Sequence, residues 1–193
     1  MLSSFGAMHV DMSYSAEDAL DKCKFNFYDI ILCDFNLGQG KNGQQVLEAL
    51  RETKRLKHTH LFIMVTAETA KDVVLGAREY QPDAYVANPI ARSVLEQRLG
   101  HLIEQQKILK PINKEIDIKN FPKAISLCHQ LLEEKTKYQS WCKQTLGQLY
   151  LIIGDIENAR QLYEKLLTSR SVPWASLGLG QALMAAQKYS EAI

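Results

Sequence analysis

The sequence predicts an α/β domain built on a doubly wound parallel sheet, followed by an all-α domain of helical repeats. Before about residue 107, apolar runs of strand length alternate with helix-period patterns. This alternation is typical of a parallel sheet with helices on both faces. After residue 107 only helix-period patterns remain, and they repeat. We therefore predict two domains, at 1–107 and 108–193.

The composition is that of a folded protein without a strong charge bias. The 193 residues are 46% hydrophobic and carry a formal net charge of +1. That charge favours neither nucleic acid nor a membrane as a partner. The four cysteines show no metal-ligand spacing, so we expect reduced thiols in a cytoplasmic protein.

The first 25 residues predict the end of a helix, then a strand and a second helix. Residues 1–6 have the pattern of a last helical turn that stops at a glycine. Apolar residues alternate with polar ones over 9–14, which predicts a strand. Ser15 then has the side chain of an N-cap for a helix over about 16–25.

The most informative stretch runs from Tyr28 to Gly43. Its apolar run predicts a strand over 28–34, buried on both faces, that ends on Asp34. A Gly-rich polar loop follows, and then a helix over about 43–54. In open α/β sheets this edge holds ligands and reacting groups. The alternative is that Asp34 merely caps the loop.

Two further strands end on polar residues in the same way. The first ends on Thr66 and Ala67, and the second ends on Asn88 and Pro89. Asp34, Thr66 and Asn88 are therefore expected to face one crevice. The remaining predicted elements are strands at 61–65 and 84–87 and helices at 70–80 and 91–107.

These residues resemble the receiver domain of two-component response regulators, which has a flavodoxin-like fold. The resemblance implies that Asp34 accepts a phosphoryl group from a histidine kinase or a phosphotransfer protein. It implies that Thr66, followed by the small Ala67, contacts the phosphate, and that Tyr85 changes rotamer with Thr66. It also makes Asn88–Pro89 a candidate cis peptide, and homodimers often form through the corresponding face, here about 84–107.

The resemblance also implies a cofactor, Mg²⁺. The ion would neutralise charge during phosphoryl transfer, bound by the Asp34 carboxylate and the Asn36 backbone carbonyl. The carboxylate itself is the nucleophile, and the added phosphate charge would bias a local two-state element.

Two departures from the family pattern weaken this expectation. The family's Lys before the conserved Pro is Asn88 here, which offers only a neutral donor. The family's first strand, which ends in paired acids, does not occur in the sequence. We expect the sequence to be a window of a longer protein rather than a receiver without that strand. Phosphorylation of the chain as given is expected to be poor.

An internal repeat occupies the second half. Four pairs of residues recur 33 positions apart: Trp141 and Trp174, Leu146 and Leu179, Gly147 and Gly180, Ala159 and Ala192. A second alignment, of 120–132 with 155–167, has a spacing of 35. Lys110–Pro111 is a natural boundary before these repeats, because Pro disfavours continuation of the preceding helix.

With its Leu146-Gly147-Gln-Leu-Tyr150 and Ala159-Arg-Gln-Leu-Tyr163 motifs, this half resembles the tetratricopeptide repeat (TPR) family. The resemblance implies helix pairs whose concave face binds a peptide or helix of a protein partner. The aromatic residues are expected to pack between helices. The last repeat stops where its second helix begins, as a window of a longer protein would.

Three functions remain open. The first is a signalling adaptor, in which the receiver takes up phosphate and the repeats bind a protein. The second is a scaffold with an unphosphorylated pseudo-receiver. The third is an aspartate-nucleophile phosphatase, but such enzymes usually have a second Asp where Asn36 stands, so we expect no enzyme. The kinase, the repeat ligand, the pathway and the oligomeric state cannot be predicted from the sequence.

Overall fold

The computed structural model of the protein describes residues 5–67, 80–134, 136–168 and 172–188. The predicted helix over 70–80 lies, except for Tyr80, outside the described residues. The chain divides into two compact units, Met1–Lys110 and Pro111–Ile193. Each unit is described by itself below.

The first unit contains a parallel sheet of three strands. The strands are β1 (Ile30–Asp34), β2 (Leu61–Thr66) and β3 (Ala84–Ala87), in the order β1-β2-β3. β2 is buried along its whole length because it lies between the other two. The predicted parallel α/β sheet is confirmed, with strand ends within two residues of the predicted ones.

Helices cover both faces of this sheet. α1 (Ala16–Phe25) is capped by Ser15, whose hydroxyl accepts the Asp18 N–H at 3.2 Å. α2 (Gly43–Glu52) begins with a reciprocal capping box between Asn42 and Gln45. Successive side chains of β2 point to opposite faces of the sheet. Phe62 and Met64 pack in the core with α1 and α2, while Leu61 and Ile63 pack with Leu95, Leu99 and Leu102 on the opposite face.

The predicted strand over 9–14 is wrong. These residues form no strand, and the side chains of Val10, Met12 and Tyr14 are 41%, 66% and 85% exposed. A strand requires a neighbour to complete its hydrogen-bond ladder. The resemblance places another strand between this segment and β1, and no such strand occurs among the described residues. The alternation of apolar and polar residues over 9–14 is therefore not enough to form a strand.

The helix does not end at Lys110–Pro111 as expected, although the two compact units do divide between these residues. α3 runs from Arg92 to Asp117 with Pro111 inside it. A Pro in a helix interior costs about 3 kcal/mol or more, because it removes one hydrogen bond and its ring crowds the preceding turn. Leu109 and Ile112, on either side of Pro111, are only 1% and 2% exposed. Their burial offsets this cost and carries the helix past the proline.

Asp83 joins the start of β3 to β2. Its Oδ2 accepts the Phe62 N–H at 2.7 Å, and its own N–H donates to the Phe62 carbonyl oxygen at 2.8 Å. The Arg51 guanidinium lies 3.8 Å from the same carboxylate oxygen. Burial raises the pKa of Asp83 above its ordinary value of 3.8, although the Phe62 hydrogen bond and the Arg51 charge act against this shift.

The second unit is helical in its described part. After the end of α3 it contains α4 (Phe121–Glu133), α5 (Gln139–Ile153), α6 (Ile156–Leu167) and α7 (Pro173–Ala185). Gly154, with φ of 76°, ends α5, and the Asp155 side chain caps α6. No described helix of the chain has the length and apolar character that a membrane span requires.

Tyr163 of α6 forms the centre of this helical packing. It is 2% exposed and forms an edge-to-face contact with Trp174, with ring centroids 6.4 Å apart. A Cβ atom at Gly147 of α5 would lie 2.4 Å from the Tyr163 ring, and one at Gly178 of α7 would lie 2.3 Å from it. The ring therefore fits between two helices only because both positions are glycine.

Candidate functional site

Asp34 lies at the carboxyl end of β1. The side chain is half-buried, and its Oδ1 accepts the Asn36 N–H at 2.9 Å. Directly after it, the Phe35 N–H donates to the Val65 carbonyl oxygen at 2.7 Å. The backbone on both sides of Asp34 is therefore held by hydrogen bonds, which fix the position of the carboxylate at this edge of the sheet.

The loop after Asp34 is shaped by glycine. Gly38 and Gly40 have φ angles of 84° and 100°, which favour glycine. The Gly43 N–H closes the loop by donating to the Phe35 carbonyl oxygen at 2.9 Å. A Cβ atom at Gly43 would lie only 2.3 Å from the Asp34 carbonyl oxygen. Sequence reasoning missed this role of Gly43, because the contact depends on how α2 packs against β1.

Thr66 and Asn88 lie at the ends of the next two strands. In the sheet register, Asp34 is opposite Val65, and Thr66 is opposite Ala87. The Asn88 N–H donates to the Thr66 carbonyl oxygen at 2.8 Å, so the β2–β3 pairing continues past the strands. The three polar residues are thus brought to one edge of the sheet. Thr66 is 3% exposed, whereas Ala67 and Asn88 are exposed.

Tyr85 lies on the same face of the sheet as Thr66. The register places Tyr85 opposite Met64, two positions before the residue opposite Thr66. Because side chains alternate along strands, Thr66 and Tyr85 are diagonal neighbours on one face. Tyr85 is half-buried and packs against the core under α1 and α2. The peptide bond between Asn88 and Pro89 is cis.

Cys33 precedes Asp34 and is buried. Burial raises the pKa of Cys33 to about 12, and the neighbouring Asp34 charge acts in the same direction. Its thiol donates to the Asp34 carbonyl oxygen at 3.4 Å. A thiol that stays protonated is a poor nucleophile.

Asp34 and Asn36 are the residues at this edge that could contribute to a metal site. Mg²⁺ prefers octahedral oxygen coordination and is usually bound through one or two carboxylates with several waters. Asp34 supplies one carboxylate, and Asn36 could add its backbone carbonyl. In the part of the chain that the structure describes, His, Cys, Asp and Glu side chains nowhere form a group of three or more that could hold a metal ion.

The parallel sheet with Asp34 at the end of β1 and Thr66 at the end of β2 is the arrangement expected of a receiver domain. Residues 1–100 match the family model described as response regulator receiver domain. The match covers just over half of the 193 residues. The chain therefore belongs to the response regulator receiver family.

Individual relatives agree with this assignment. The chemotaxis protein CheY of Pseudomonas aeruginosa is 32% identical over 78 residues, which is 40% of this chain and 61% of that protein. The response regulator ArlR of Staphylococcus aureus is 30% identical over 98 residues, which is 51% of this chain and 42% of that protein. The chain thus spans less than two thirds of the length of these curated relatives.

Among solved structures, a CheY-like response regulator receiver domain protein from Methanospirillum hungatei JF-1 is similar. It has 21% sequence identity and a TM-score of 0.46, and the match covers 54% of this chain and 80% of that one. The assignment of 108–193 to the tetratricopeptide family stays a prediction.

Proposed function

We propose that the chain is part of a two-component response regulator in which Asp34 accepts a phosphoryl group from a histidine kinase or a phosphotransfer protein. One observation carries the proposal. Asp34, Thr66 and Asn88 lie at the ends of three adjacent parallel strands, in a chain of the receiver family. A cytoplasmic location and the absence of enzymatic turnover are parts of the same proposal.

The transfer step follows from the chemistry of the carboxylate. An Asp34 oxygen attacks phosphorus in the phosphohistidine of the donor. A P–O bond forms, the P–N bond breaks, and its electron pair returns to the imidazole nitrogen of the donor. The Asn36 N–H, 2.9 Å from Asp34 Oδ1, helps to orient the carboxylate. When bound, Mg²⁺ would supply charge neutralisation beside Asp34 and the Asn36 carbonyl.

Thr66 and Tyr85 are proposed to respond to the phosphate. The Thr66 hydroxyl would donate to a phosphoryl oxygen at the end of β2. Because Tyr85 is a diagonal neighbour on the same face, movement of Thr66 changes the space available to its ring. Asn88 would contribute its side-chain NH₂ as a donor. This donor is neutral, so the phosphate is retained more weakly than beside a Lys.

We propose that the helical unit is a TPR module that binds a peptide or helix of a protein partner on its concave face. The three consecutive helices α5, α6 and α7 are joined by short connections, as the helices of a repeat array are, and this supports the second part of the proposal. So does the packing of Tyr163 against Gly147 and Gly178, because small residues let repeat helices approach closely.

A second function, a pseudo-receiver scaffold that is never phosphorylated, is favoured by the neutral Asn88. Incubation of the full-length protein with beryllofluoride and Mg²⁺ distinguishes the two functions. Binding that is lost in Asp34→Asn supports phosphorylation. Absence of binding by the full-length protein would favour the scaffold. In parallel, Asn88→Lys is expected to lengthen the lifetime of the phosphorylated form.

A further inference from the structure

A basic loop follows α2 at the edge of the sheet opposite Asp34. Lys54, Arg55 and Lys57 occur within four residues, and Leu56 between them is only 2% exposed. Within the described ranges, no carboxylate lies at ion-pair distance from these three cations. In a chain with a net charge of +1, this is a local concentration of positive charge.

The backbone of this basic loop is held in place. The N–H groups of Arg55 and Leu56 both donate to the Leu50 carbonyl oxygen, at 2.9 and 3.1 Å. The Arg51 side chain donates to the carbonyl oxygens of Leu56 and Lys57, at 3.2 and 2.8 Å. The cations are therefore presented from a pre-organised loop, which lowers the entropic cost of binding a partner.

One exposed aromatic side chain lies beside the basic loop. Phe27 is 60% exposed. The Arg55 guanidinium carbon and the Lys57 Nζ lie 6.0 and 5.3 Å from the centroid of the Phe27 ring. These cation–π contacts hold both charges near one exposed apolar group.

A cleft of about 600 Å³ between α1 and α2 opens at the same place. Lys24 and Arg55 line it near the C-terminal ends of the helices, where Lys24 is paired with Asp21 at 2.5 Å. The apolar part of its lining consists of Leu20, Ala49 and Leu50. Asp21 also lines the cleft, and Glu17 and Lys41 line it toward the N-terminal ends of the two helices, so Arg55 is the cation that links the cleft to the basic loop.

We propose that this surface, the basic loop together with the cleft, binds a protein segment that carries carboxylates next to an apolar side chain. The apolar side chain enters the cleft, and the carboxylates contact Arg55 and Lys57. Nucleic acid fits less well, because base stacking requires an open aromatic face and Phe27 already holds two cations. An anionic bilayer would meet the charges but leave the cleft unfilled. The proposal does not depend on phosphorylation of Asp34.

The test uses a fluorescein-labelled peptide of roughly eight residues in which Leu and Phe are flanked by Glu. Fluorescence anisotropy measures its binding to the full chain and to Arg55→Glu/Lys57→Glu. A matched control, Arg98→Glu/Lys107→Glu, makes the same charge change at exposed positions of α3. We expect at least a roughly tenfold loss of affinity in the first variant and little change in the control.

Three results would overturn the proposal. In the first, the wild-type chain fails to bind the peptide. In the second, both double variants lose affinity equally. The third is tight binding of phosphatidylserine vesicles or oligo(dT) by a chain that does not bind the peptide. If the double variant does not fold, as judged by far-UV circular dichroism, Lys57→Glu alone carries the same test, because Lys57 is exposed.

Discussion

Replacing Gly43 by alanine tests how closely α2 approaches the end of β1. The new Cβ atom would lie 2.3 Å from the Asp34 carbonyl oxygen and 2.9 Å from the Met64 sulfur. A carbon–oxygen contact normally requires about 3.3 Å, so the overlap with Asp34 is roughly 1 Å. The Asp34 backbone is fixed by the β1–β2 ladder and cannot yield freely.

The expected cost follows from two opposing contributions. Overpacking typically costs about 1–3 kcal/mol, and a contact with fixed backbone belongs at the upper end of that range. Alanine gains up to about 1 kcal/mol over glycine from its helix propensity. We therefore expect Gly43→Ala to lower the free energy of unfolding by about 2 kcal/mol. This is a large share of the roughly 5–15 kcal/mol of an ordinary domain.

The assay is urea unfolding followed by far-UV circular dichroism, with hydrogen exchange of β1 and β2 to localise the effect. Gly100→Ala is a matched control, because Gly100 lies within α3 and a Cβ there meets nothing within 4 Å. The free energy of unfolding of this control should increase by up to about 1 kcal/mol. A Gly43→Ala protein as stable as the control would refute the close approach of α2 to Asp34.

Three further predictions concern other parts of the chain. Gly178→Ala should lower the free energy of unfolding by about 2 kcal/mol, and less in a Tyr163→Leu background; tryptophan fluorescence during urea unfolding checks this. The pKa of Asp83 is higher in the folded protein than the ordinary value of 3.8. Protonated Asp83 therefore stabilises the fold below about pH 3.8, and this stabilisation is lost as the pH rises through the folded-state pKa. Asp83→Asn, which does not titrate, should weaken this pH dependence of the thermal midpoint. Pro111→Ala should stabilise by up to about 3 kcal/mol in chemical unfolding, whereas Pro122→Ala, in the first turn of α4, should be near neutral.

Local sequence signals predict three of the four expected strands and the capped helix correctly. The apolar run of β2 is buried along its whole length, as its pattern predicts. The predicted burial of β1 on both faces is not met, because β1 is an outer strand of the described sheet and only Cys33 in it is fully buried. Ser15 forms the predicted cap with its own hydroxyl. The order of these elements was enough to predict a parallel α/β sheet, and the polar strand ends predicted which residues meet at its edge.

The errors arose where distant residues decide the outcome. The alternating pattern over 9–14 has the period of a strand, but a strand also needs a neighbour, which a local pattern does not reveal. Pro111 has the local signature of a helix end, yet buried Leu109 and Ile112 carry the helix through it. The close approach at Gly43 depends on tertiary packing and could not be predicted from periodicity.

Site-specific detection of phosphorylation tests the central claim most directly. The full-length protein is incubated with acetyl phosphate and Mg²⁺, and the acyl phosphate is then reduced with borohydride, which converts a phosphorylated Asp to homoserine. Peptide mass spectrometry should find this conversion at position 34 in the wild-type chain and not in Asp34→Asn. Absence of conversion in the wild-type protein, or conversion only at another carboxylate, would contradict the assignment of Asp34 as the phosphoacceptor.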